Sequence, residues 1–207
     1  MNRLILKKGR EKAVLRRHPW IFSGAVARVD GSPERGETVG ILNAAGQFLG
    51  WGAYSPASQI RARIWSWDEA EVIDLAFFQK KISHAIKLRE NWIDRDRTSA
   101  YRLVHGESDS LPGLIVDRYK DNLVVQILSA GVERWREEIV QVLIKLLSPE
   151  GIFERSDVAV RELEGLEERR GSLFGKTPDQ PVLIKENGIK FMVDLVNGQK
   201  TGFYLDQ

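Results

Sequence analysis

An α+β fold is what this sequence predicts, and three patterns predict it. Short β-branched or aromatic runs separated by Gly, Pro, Asn or Asp fill the first seventy residues, a helical apolar spacing follows, and a second series of strands resumes at Tyr101. At 207 residues the chain exceeds the usual single-domain size of roughly 100 to 150, so two domains are expected. Their boundaries fall at 1–70 for a β-rich domain, 71–98 for a connecting helix and linker, and 99–207 for a central mixed domain.

In the first domain the strands are "RLIL", "WIFSGAVARV", "GETVGILNA", "QFLGWGAYS" and "IRARIWSW", with a basic helical turn after the first. So many short strands in so little chain imply a small, strongly curved sheet or barrel. Trp20, Trp51, Trp65 and Trp67 supply bulk for its core. From Asp74 to about Asp94, Leu75, Phe78, Ile82, Ile86 and Trp92 fall on one helical face, with Lys80, Lys81, Lys87 and Arg89 opposite. The central domain then reads "YRLVHGE", "GLIVDRY" and "NLVVQILSA" as strands, "VERWREEIVQVLIKLL" as one amphipathic helix stopped by Ser148 and Pro149, and "IFERSDVAV" as a strand. A charged stretch, Arg161 to Gly171, precedes the hairpin "VLIKENGIKFMVDL", whose Asn187 and Gly188 favour a type I′ turn.

Composition excludes several classes. No apolar run approaches the roughly 18 residues of a membrane span, and "MNRLILKKGREK" is too short in apolar residues for a secretory signal of about 7 to 15. A soluble, cytoplasmic protein is the expectation. Zero cysteines remove disulfides, thiolate metal sites and a cysteine nucleophile, and three histidines argue against a histidine-rich metal centre. Signatures for dinucleotide, nucleoside triphosphate, metalloprotease and serine hydrolase chemistry are all missing.

Charge is unevenly placed. Through Trp67 there are 11 Lys+Arg against 4 Asp+Glu, a net of +7, and the remainder carries 20 against 25, a net of −5. Lys7, Lys8, Arg10, Lys12, Arg16 and Arg17 fall in eleven positions interrupted only by Glu11, with His18 and Trp20 beside them. That is a phosphate-contacting footprint with aromatic stackers, and Arg61 and Arg63 alternate on a strand so as to extend it. Nucleic acid is therefore the expected partner.

Two further clusters place reactive or charged side chains close together. "HGESDSLPG" brings His105, Glu107, Ser108 and Asp109 within a few residues, and a small hydrolase would use His105, Glu107 and Asp109, although a turn closed by Pro112 and Gly113 explains Ser108, Asp109 and Ser110 more simply. "ERSDVAVRELEG" offers Glu154, Arg155, Asp157 and Arg161 as a set of paired surface charges or an RNA-facing edge.

Five blocks in fixed order, "GREKAVLRRHPWIFSGAV", "GAYSPASQIRARIW", "YRLVHGESDSLPGLIVDRY", "ERSDVAVRELEG" and "NGQKTGFYLDQ", resemble the class-I 23S ribosomal RNA cytosine-5 methyltransferases that use S-adenosylmethionine. The resemblance spans essentially the whole chain. It implies an N-terminal PUA-like β pseudobarrel, a central strand-strand-helix-strand-strand domain, and a Rossmann-like catalytic domain that would follow. It further implies that Lys200, Thr201, Gly202, Phe203, Tyr204, Leu205, Asp206 and Gln207 lie near the cofactor. The family's cysteine nucleophile and glycine-rich cofactor loop have no counterpart here, so the expectation is a truncated chain: the recognition half, inactive and binding no S-adenosylmethionine by itself. Large-subunit ribosomal RNA is then the partner, a homodimer stays open, and the alternatives are a free-standing RNA-binding module or the small hydrolase.

Overall fold

The computed structural model describes residues 2–205. The first unit contains β1 (Arg3–Leu6), α1 (Lys12–Leu15), β2 (Trp20–Phe22), β3 (Val26–Asp30), β4 (Thr38–Leu42), β5 (Phe48–Tyr54) and β6 (Ile60–Ser66). They form one six-stranded sheet in the order β2-β6-β5-β4-β1-β3. The run "WIFSGAVARV" is two strands, not one, because a 3-10 turn at Ser23–Ala25 carries the chain from one edge of the sheet to the other. Bulges in the β1–β3, β2–β6, β4–β5 and β5–β6 pairings supply the curvature. Leu4, Leu6, Val14, Ile21, Val39, Ile41 and Ile64 fill the interior.

The helix expected to connect two domains is built into the second core instead. This helix, α2 (Leu75–Trp92), is capped by the Asp74 side chain, which accepts from the Phe77 N–H at 2.9 Å. Its residues Phe77, Phe78, Ile82, Ala85 and Ile86 share a single buried cluster with strands of the second sheet. Its ends lie outside that core, Leu75 being 44% and Trp92 85% exposed.

The second sheet follows a meander of β7 (Ala100–His105), β8 (Leu114–Tyr119) and β9 (Asn122–Ile127). The chain then crosses through α3 (Ala130–Arg134) and α4 (Arg136–Leu147) to β10 (Gly151–Ser156), parallel to β9. After α5 (Val160–Leu163), β11 (Arg169–Gly175) completes the order β11-β10-β9-β8-β7. Two expectations change here. The amphipathic helix is broken at Trp135, and part of the charged stretch is the edge strand β11, mostly exposed, whose apolar residues Leu173 and Phe174 are adjacent and so carry no period of two. The hairpin β12 (Val182–Glu186) and β13 (Ile189–Val193) forms as expected, with φ of 51° at Asn187 and 89° at Gly188.

The two sheets meet along an apolar seam. Trp65 and Ala53 from the first sheet belong to the same buried cluster as Phe77, Phe78 and Val132. Gly131 sits against them, and a Cβ added there would run into Ala53 and lie 2.7 Å from Trp65 Cζ2. Gly131→Ala is expected to destabilise by about 1–3 kcal/mol, although alanine is the better helix former by about 1 kcal/mol. The urea midpoint checks this, and an unchanged or higher midpoint would show that the seam has slack.

Candidate nucleic-acid interface

The α1 turn rests on the first core through Val14 alone, so its basic neighbours face outward. Lys7, Lys8, Arg10, Lys12, Arg16, Arg17 and His18 are all exposed. Lys7 reaches the Gly24 carbonyl at 3.1 Å, and Arg17, in the left-handed region at φ 65°, lays its guanidinium over the Trp67 ring 5.3 Å from the centroid. Lys8, Arg10, Lys12 and Arg16 form no ion pair among the described residues, so this rim carries uncompensated positive charge.

Trp20 is only partly open. Its Nε1–H donates to Glu107 Oε1 of the second unit at 2.7 Å, and its ring meets those of His18 and Phe22 edge-on.

The extension through Arg61 and Arg63 fails. Arg63 is 8% exposed and donates to Glu164 Oε1 at 2.7 Å inside the seam, while Arg61 turns back onto the Ser55 and Pro56 carbonyls. The second unit covers β6 at Arg63, so alternation along the strand does not bring that cation to solvent, and Arg61 stays half-buried against its own loop. The "ERSDVAVRELEG" charges are likewise interior rather than surface pairs. Glu154 binds Arg136, Arg155 binds Asp157, and Arg161 binds Glu133 together with the Ile127 carbonyl.

The hydrolase trio does not converge. Asp109 is held by Arg89 at 2.6 and 2.8 Å and accepts from the His105 backbone N–H. With His105 it lines a groove of about 830 Å³ between α2 and β7, whereas Glu107 lines a different cleft of about 550 Å³ at the seam. No group of His, Asp and Glu among the described residues has a metal-binding arrangement.

Of the residues expected near a cofactor, Asp206 and Gln207 lie outside the described residues. Thr201 is buried and gives its hydroxyl proton to Asp117 Oδ2 at 2.6 Å, while the Tyr119 hydroxyl lies 3.0 Å from Thr201 Oγ1 and accepts from the Phe203 N–H. Phe203 packs on Phe191 with centroids 5.0 Å apart. Only Lys200 and Tyr204 are exposed, stacked on each other, and Gly202 and Leu205 line the same docked segment. Thr201 thus anchors this segment to the second sheet.

Among the described residues no helix is long and apolar enough to cross a membrane.

These interior pairs yield two expectations. Arg63→Ala leaves Glu164 buried without its partner and is expected to lower stability by about 3–5 kcal/mol, against about 0.5 kcal/mol or less for Lys8→Ala, as read by chemical denaturation. Burial pushes the Tyr119 hydroxyl up to about 12, with the neighbouring Asp117 charge adding to the rise. Because the folded value exceeds the unfolded one of about 10, the associated stability is complete below pH ~10 and is lost as pH rises towards 12. Tyr119→Phe is expected to flatten that alkaline loss in melting curves taken across this range.

Comparison with known proteins follows this division. Residues 4–67 match the PUA-like domain family. Over 204 residues the chain is 54% identical to Ribosomal RNA large subunit methyltransferase I of Aeromonas salmonicida, and over 205 residues 51% identical to the protein of that name from Escherichia coli O127:H6. In both cases 99% of this chain aligns with 52% of the relative, so the chain spans about half the length of the curated relatives it matches. A candidate SAM-dependent methyltransferase from Streptococcus mutans superimposes with a TM-score of 0.82 at 25% identity, covering 100% of this chain and 52% of that one. A second solved structure, a candidate methyltransferase complexed with SAH, shares the fold with a TM-score of 0.83. The curved first sheet is therefore a PUA-like domain, and the whole chain has the fold of about half of these larger methyltransferases.

Proposed function

We propose that this chain is the RNA-recognition part of an S-adenosylmethionine-dependent methyltransferase acting on cytosine 5 of large-subunit ribosomal RNA. The observation that carries the reading is the exposed, unpaired basic rim of Lys8, Arg10, Lys12 and Arg16 on a PUA-like domain. Identity above 50% to proteins named ribosomal RNA large subunit methyltransferase I supports the substrate class.

In this reading the rim holds phosphates and fixes the register of the strand, while base edges are read elsewhere. The second unit, locked to the first across the seam, sets where the catalytic part stands relative to the bound RNA. Cytosine-5 transfer through a thiolate requires a cysteine, and these 207 residues contain none. This chain alone is accordingly assigned no methyl transfer and no S-adenosylmethionine binding.

Binding to deproteinised large-subunit RNA should weaken with salt, with a logarithmic slope of about −0.7 per phosphate contact for single-stranded segments. Replacing Lys7, Arg10, Arg16 and Arg17 together by Ala is expected to make that slope shallower by about 3 and to lower affinity across all sequences. Titrations at several salt concentrations measure both. Salt-independent binding, or a variant with the wild-type slope, would remove the rim from the interface.

A further inference from the structure

We propose that the cleft of about 550 Å³ between Trp67 and the Glu107–Pro112 loop is a nucleotide subsite that takes one unstacked, amino-bearing base of the RNA strand. The inference rests on the RNA-recognition reading above and adds to it a site outside the basic rim.

Size and position come first. The cleft is large enough for a nucleotide, and it opens where the α1 rim meets the second unit. Arg17 belongs to both, since it lines the cleft and covers the Trp67 ring. A strand whose phosphates follow the rim therefore passes the mouth of the cleft, where a cation and an aromatic ring are already stacked.

The chemistry inside is selective. Glu107 Oε1 is held by the Trp20 indole at 2.7 Å, and Oε2 has no hydrogen-bond partner among the described residues. This is a solvent-facing carboxylate with one oxygen held by the indole and the other free to accept. A carboxylate repels a phosphate but suits a base amino group, such as cytosine N4 or adenine N6. Uracil presents a carbonyl oxygen at that place and is rejected. The Ser108 and Ser110 side chains also line the cleft, and their hydroxyls make no hydrogen bond to the described residues, so they are free to meet ribose or phosphate oxygens. The loop is held in shape by its own backbone, with Ser110 N–H to Glu107 O at 3.1 Å and Leu111 N–H to Gly106 O at 2.9 Å. Neither serine side chain is required for the fold of that turn.

The test is fluorescence anisotropy with labelled hexacytidylate, hexaadenylate and hexauridylate at fixed salt, using wild type, Glu107→Gln and Glu107→Ala. Wild type is expected to bind the cytidine and adenosine oligomers about tenfold more tightly than the uridine oligomer, the effect of one charge-assisted hydrogen bond. Glu107→Gln keeps an acceptor for the Trp20 indole and adds an amide donor, so the preference should vanish or turn towards uridine. Glu107→Ala should abolish the preference without creating a new one, and matched melting curves establish that the variants fold. Equal wild-type affinity for all three oligomers, or an unchanged preference in both variants, overturns the subsite. If salt-sensitive binding persists in that case and still depends on Lys7, Arg10 and Arg16, the recognition reading stands without it. Absence of salt-sensitive binding to any RNA overturns both.

Discussion

Glu164 is 1% exposed and commits both carboxylate oxygens to the seam, one to Arg63 Nη1 at 2.7 Å and the other to the Ala130 N–H at 3.1 Å. It thereby joins the strand β6 of the first sheet to the helix that starts the crossover in the second. Around this pair Trp65, Ala53, Phe77 and Phe78 close an apolar contact, and the Arg35 guanidinium reaches the Gly165 carbonyl at its edge. In so low a dielectric a charge without its partner is far more costly than one at the surface. The two sheets are therefore held in one relative orientation, and the Glu107 loop stays beside Trp20 and Trp67 only because they are.

Much of the architecture was legible because strands and helices announce themselves by period. The alternating runs of the first sheet other than the one split at Ser23–Ala25, the meander from Tyr101 and the Asn187–Gly188 hairpin appear where pattern and turn chemistry place them. The failures have physical causes. β11 is mostly exposed and its apolar residues, Leu173 and Phe174, are adjacent, so it has no apolar alternation to detect, and the periodicity running through α3 and α4 hides their break at Trp135. Arg63 misled because period two tells which residues share a face, not whether solvent or another layer lies above it.

The site was legible in its charge but not in its shape. A count of Lys and Arg treats Arg16, Arg63 and Arg161 alike, whereas the fold leaves the first in water and binds the other two inside, Arg161 at 1% exposure. What separates them is the placement of Glu164 and Glu133, which come from distant parts of the chain. The bond from Trp20 to Glu107 spans 87 positions, and nothing local to either residue points to it.

Helix α2 gives the molecule a ruler. Its 18 residues run about 27 Å, from Asp74 beside the seam to the turn where the Arg97 guanidinium reaches the Asn187 carbonyl of the hairpin. Beyond the hairpin, the segment carrying Thr201 is pinned to Tyr119 and Asp117 on the second sheet. The spacing between the basic rim and anything docked on that segment is thus a fixed length rather than a tether's average.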